Sequence, residues 1–192
     1  MPSATLQSNN MQKDPTIILD NHIDNITLIA SHIPEEESPS MERYVFHELV
    51  NYTHDIFATA TPQTEWTGCT KEDIAGILSA RGFSLTKDED GGIIVNNASG
   101  LAVELLESRL CDSCDIILLN EQGKAVSISF NEMQNSRNFY NTCGISPESA
   151  AEVIEKTFEA RPRLIEAWKK TRTKYLAGRM QSNIMEATAE AI

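Results

Sequence analysis

The chain has 192 residues, 41% of them hydrophobic and few of those aromatic, which suits one domain with a real core and a tail. No apolar run approaches the ~18 residues of a membrane span, and Met1-Pro2-Ser3-Ala4-Thr5 lacks the basic patch and apolar stretch of a signal peptide, so neither a span nor that export route is expected. A net charge of −12 argues against nucleic acid as a partner, because a polyanion would be repelled by most of the surface.

The charge is unevenly placed. Positions 161–179 hold Arg161, Arg163, Lys169, Lys170, Arg172, Lys174 and Arg179 against one acid, Glu166, a balance of +6 that leaves −18 on the rest of the chain. Three regions follow from composition: a flexible N-terminal tail over 1–40 with a docking segment, an α+β domain over 41–160, and a basic amphipathic C-terminal helix over 161–192.

Residues 1–15 are rich in Ser, Asn and Gln and have no hydrophobic period. The apolar run 16–19 fits a docking strand, and Ile23, Ile26, Ala30 and Ile33 then fall at helical spacing. Residues 34–40 read as a linker. Ser38-Pro39 is an N-cap and first-turn pair for an amphipathic helix to about residue 58, with Val45, Leu49, Tyr52 and Ile56 on one face. Thr70 with Asp73 predicts a capping box, Ile74, Ile77 and Leu78 give the buried stripe, and Gly82 stands where a left-handed residue ends a helix.

Five apolar runs then alternate with turn residues, beginning at Phe83, Ile93, Leu101, Asp115 and Ala125. Phe83 and Leu85, Leu101, Val103 and Leu105, and Val126, Ile128 and Phe130 repeat at two residues and so mark faces of strands. Asp90-Gly91-Gly92, Ser99-Gly100 and Glu121-Gln122-Gly123 supply hairpin turns. The expected fold is α+β, an antiparallel meander of about five strands packed with helices and ending in a helical C-terminus. Residues 132–140 suggest a short helix. Ser146-Pro147-Glu148 starts another, Arg161-Pro162 interrupts it, and a second helix runs on from 163 with Ile165, Trp168, Tyr175, Met180 and Ile184 along a face.

Residues 74–83, followed by Asp88-Glu89-Asp90-Gly91-Gly92, Ile93-Ile94-Val95 and Leu101-Ala102-Val103-Glu104-Leu105, resemble the opening of the YbjN family. More distantly, they are similar to class I type III secretion chaperones. Cys111-Asp112-Ser113-Cys114 resembles the cysteine pair that YbjN-like sequences carry before the next strand. The basic C-terminal helix and the long N-terminal tail have no counterpart in either pattern. The resemblance implies a non-catalytic protein that binds other polypeptides, often as a homodimer.

Two chemical readings stand beside that one. Cys69 precedes the proposed cap Thr70, and a helix N-terminus favours a thiolate, so a cysteine-dependent enzyme or secreted effector would use Cys69 with His47 or His54 as base and Asp55 as orienter. Cys111 and Cys114 have the spacing of half a zinc site, which Cys69 and Cys143 would complete in a zinc-stabilised regulatory module. The favoured expectation is that these cysteines are small apolar residues around a loop, with no metal and no cofactor.

The expected partner is another protein with an acidic surface. Two surfaces could meet it. One is the sheet face opposite the core, carrying Ile94, Leu106 and Ile117. The other is the C-terminal helix with Trp168, Lys169, Lys170, Arg172, Tyr175 and Arg179. Cytoplasmic placement in a bacterial cell is expected, or delivery by a secretion system that needs no signal peptide.

Overall fold

Capping residues set where the helices begin in the computed structural model, which describes residues 14–34, 40–60, 68–98, 100–108, 112–120, 123, 127–131, 134–137 and 139–190. Helix α1 spans Pro15–His32, α2 Met41–Phe57, α3 Lys71–Ala80 and α4 Pro147–Glu190. The strands are β1 Ser84–Lys87, β2 Ile93–Asn96, β3 Ala102–Glu107, β4 Cys114–Leu119, β5 Ser127–Asn131, β6 Gln134–Arg137 and β7 Phe139–Asn141.

The capping box at α3 forms as the residues predict. Thr70 Oγ1 accepts from the Asp73 amide and Asp73 Oδ2 from the Thr70 amide, both at 3.2 Å. Gly82 follows at φ +90°, a conformation that strains any residue with a Cβ, and turns the chain into β1. Phe83, just beyond, stacks on Phe158 of α4 with centroids 5.5 Å apart.

The N-terminal region differs from its expectation. Residues 16–19 are helical, because Asp14 caps the Thr16 amide at 2.9 Å and Pro15 presets the first turn. Ile18, His22, Ile26 and Ala30 then recur every four residues as a buried stripe that packs with α2 and α4. The polar His22 breaks the apolar pattern there, so only the spacing from Ile23 onward announces the helix. Residues 15–33 therefore pack into the body, while residues 1–13 and 35–39 of the expected 1–40 tail lie outside the described residues. The α2 cap is Ser40, whose Oγ accepts from the Arg43 amide at 3.3 Å, two residues past the Ser38 expected.

The sheet is antiparallel, five-stranded and ordered β1-β2-β3-β4-β7. Its first four members are the expected meander, with Gly91 and Gly100 at positive φ in the first two of its three turns. The fifth is β7 rather than the run near 127–130. That run is β5, paired with β6 as a separate two-stranded ribbon and not with β4; Glu121 and Gln122 of the expected hairpin lie outside the described residues. Most of residues 132–140, read as a short helix, are therefore strand. Gln134-Asn135-Ser136-Arg137 has no apolar alternation to announce it, since its pairing with β5 is made by backbone groups.

Ile93, Val95, Val103, Leu105, Ile116 and Leu118 line the inner sheet face against the helices and are buried. Tyr140 on β7 joins them and donates its hydroxyl to the Val50 carbonyl at 2.9 Å, tying sheet to α2. Thr53 and Thr157 meet hydroxyl to hydroxyl at 2.9 Å where α2 crosses α4, each also bonded to a carbonyl of its own helix, so neither is an unpaired polar group in the core.

Helix α4 is continuous over 44 residues, about 66 Å. Pro162 does not break it. The proline is on the solvent side, where water can take up the carbonyl it leaves without a donor, and the buried Ala160 and Leu164 hold the helix to the body on either side.

Candidate functional site

Among the described residues, no hydrogen bond joins Cys69 to His47 or His54, the pair that the sequence suggested. Cys69 is only 2% exposed, and burial pushes its thiol up, opposed by the Thr142 hydroxyl and reinforced by Asp73 and Glu148. Burial outweighs the helix dipole here, because a thiolate loses hydration in the core. Its described contacts are with Asp112, Ser113 and Thr142, and none is a histidine.

The described cysteines differ in placement. Cys114 is buried, with its thiol also raised by burial, Cys143 is exposed, and Cys111 lies outside the described residues. Among the described residues, no group of three or more His, Cys, Asp or Glu side chains is placed to hold a metal ion. Thr142 organises this corner instead: its Oγ1 accepts from the Cys114 amide at 2.8 Å and lies 3.1 Å from the Cys69 carbonyl.

The histidines divide differently from the expectation. His47 is half-buried beside Asn51, and His54 is exposed with Nδ1 3.6 Å from Asp55. The one buried histidine among the described residues is His22 of α1. Its Nδ1 is 2.5 Å from Glu48 and its Nε2 3.2 Å from Asp55, with Tyr52 edge-on at 5.7 Å. Carboxylates on both sides favour a proton on each ring nitrogen, the imidazolium form. Desolvation lowers its pKa, but the bonds and charges of Glu48 and Asp55 outweigh that and hold it above the ordinary 6.5. Asn25 adds a bond to Glu48 at 3.2 Å. Every member of this cluster has a partner, which makes it a clamp between α1 and α2.

On the outer sheet face Ile94, Leu106 and Ile117 are half-buried, and acids interrupt them. Glu104 pairs with Ile94 on one side and Ile117 on the other, and Leu106 with Asp115. Burial pushes Glu104 up to about 7, and Asp88 beside it adds to the rise, while Asp88 is lowered by its bond to Glu104 and by three turn amides. Gly92 lets the two carboxyls meet, since a Cβ there would stand 2.6 Å from Asp88 Oδ2.

The C-terminal residues sort into two groups. Trp168 is a correction: it is 4% exposed, stacked on Tyr44 at 5.4 Å, and belongs to the core. Arg172 donates to the Ala30 and Ile33 carbonyls at 3.2 and 2.6 Å, closing the C-terminal end of α1, and lies over the Tyr175 ring at 5.0 Å. Lys169, Lys170 and Arg179 are exposed, Arg179 reaching the Tyr175 hydroxyl at 3.5 Å. Residues 177–186 are all exposed, with Met180, Ile184 and Met185 at 66%, 64% and 73%.

Fold and site together define an α+β protein: a helix-backed antiparallel sheet with a projecting C-terminal helix, and no helix among the described residues long and apolar enough to cross a membrane. Compared with family models, with curated proteins and with solved structures, the chain matches none of them.

Proposed function

We propose that this is a non-catalytic binding protein, chaperone-like or regulatory and working in the cytoplasm, that holds another polypeptide through the far end of α4. One observation carries the reading: the far part of α4 presents Met180, Ile184 and Met185 to solvent, preceded by cationic Lys169, Lys170 and Lys174. Exposed apolar side chains on an unsupported helix are costly unless something covers them, and the basic flank selects an acidic contact. The resemblance of residues 70–140 to YbjN proteins and secretion chaperones points the same way. The outer sheet face serves the reading less well, because Glu104 and Asp115 interrupt its apolar positions.

Affinity capture tests it with three forms: the full chain, a chain ending at residue 176, and a chain with Lys169, Lys170, Lys174 and Arg179 all changed to Gln. The full chain should retain a polypeptide that both variants lose, and retention should fall as salt rises. Equal retention by the truncated chain overturns the reading.

A further inference from the structure

The solvent face of α4 carries a charge order that its own body uses only in part. Glu148, Glu152, Glu159 and Glu166 recur at four and seven residues, so at 100° per residue they share a stripe about 40° wide. The stripe lies opposite the buried Val153, Thr157, Leu164 and Trp168. Past Ala167 the sign reverses: Lys170 and Lys174 stand at the stripe's edge, and no acid follows until Glu186.

We propose that this face binds a second copy of the chain, the two α4 helices running antiparallel about a two-fold axis near Arg161. The inference rests on the reading of α4 as a binding surface and names its occupant. A parallel pairing would set acid on acid. The antiparallel one sets Lys170 against Glu152 and Lys174 against Glu148 of the second copy. Closer to the axis, Arg163 meets Glu159 and Lys156 meets Glu166. The two-fold repeats each contact, so the interface closes on itself.

The body holds parts of this face ready: Lys156 is bonded to Glu152 at 2.5 Å, and Arg163 lies 3.7 Å from Asp20 of α1. The same register carries the tip of each α4 past the first turn of the other, with Met180 at the level of its 142–146 turn. Glu72, Asp73 and Glu148 gather there around Cys69 and Cys114, close enough to act on the two thiols. That acidic end suits Arg179 on the incoming tip. Ion pairs at a surface add little singly, so the two covered tips supply the apolar part. Helix contact over about 40 Å, with both tips, buries on the order of 1,000 Å², the lower bound of a specific interface.

Size exclusion with light scattering at tens of micromolar and low salt tests this on the full chain. The expected mass is twice the 21.3 kDa of one chain. Lys170→Glu with Lys174→Glu, and separately Glu148→Lys with Glu152→Lys, should each run as monomers, the dimer dissociation constant rising at least about 100-fold. Mixing the two variants in equal amounts should restore a dimer, because every reversed charge then meets its opposite. Circular dichroism of each variant confirms folding at these exposed positions. A monomeric wild type, dimeric variants, or a mixture that stays monomeric overturns the proposal. If the monomeric wild type still retains another polypeptide through residues 177–192, only the second copy is lost and the binding function stands.

Discussion

His22 is the residue on which α1 depends most. It sits in an apolar stripe, yet both ring nitrogens face carboxylates, so replacing it with Gln leaves Glu48 buried without its cation. His22→Gln should cost about 2–4 kcal/mol at pH 6, read by urea denaturation. The folded pKa lies above the unfolded 6.5, so the stabilisation is complete below 6.5 and is lost as pH rises through the folded value. Wild-type stability should therefore decline on the alkaline side of 6.5, and the His22→Gln chain should decline less. Thiol chemistry offers a second residue-level check. In a Cys111→Ser background only Cys143 should react promptly with iodoacetamide at pH 7.4, while Cys69 and Cys114 wait for unfolding, because burial raises both thiols. Rapid modification of Cys69 in the folded chain would revive the nucleophile. The cluster around His22 was hidden in the sequence because Glu48 and Asp55 are 26 and 33 positions away and only the packing of α2 on α1 brings them together. Asp55 is adjacent to His54 in the chain, but its shorter contact is with His22 across the helix pair.

Among the elements, those with local signals were legible and those defined by distant pairing were not. Thr70 with Asp73, Gly82, and the glycine turns after β1 and β2 each act within four or five residues, and each does in the structure what its chemistry requires. β7 joins the sheet by pairing with β4, more than twenty residues earlier, and nothing local in Phe139-Tyr140-Asn141 specifies that partner. Trp168 was misplaced for a related reason. A helical stripe does not say which part of it another element covers, and here Tyr44 of α2 does so. The interruption expected at Pro162 weighed a local penalty without the packing on either side that overrides it. That penalty remains measurable. Pro162→Ala should restore a donor to the Phe158 carbonyl and raise stability by about 1–2 kcal/mol after the unfolded chain's gain in freedom is subtracted. An unchanged or lowered melting temperature would show that the ring makes a contact worth keeping.

For the whole molecule, body and projection should be separable. The body holds α1, α2, α3, the sheet and the first part of α4 in one core cluster, whose α4 members end at Trp168, with Arg172 closing α1 just beyond. A chain ending at residue 176 keeps all of these contacts, so its melting temperature should match that of the full chain measured at a concentration where both are monomeric. A drop of more than a few degrees would mean that residues 177–192 contribute to the core. Fold class and the charge reversal near residue 161 could both be read from the sequence. Which part of that basic segment stands clear of the body could not, since exposure depends on where α1 and α2 stop.

An isolated stretch as short as the last turns of α4 would scarcely hold a helix in water, and those turns persist because the docked half has already nucleated them. The rod is thus a zipper fastened at one end. Backbone amides should exchange with deuterium in a gradient, slowest around Trp168 and fastest toward residue 186. Anything that loosens Arg172 from the end of α1 should move that gradient back toward the body and shorten the reach of the tip.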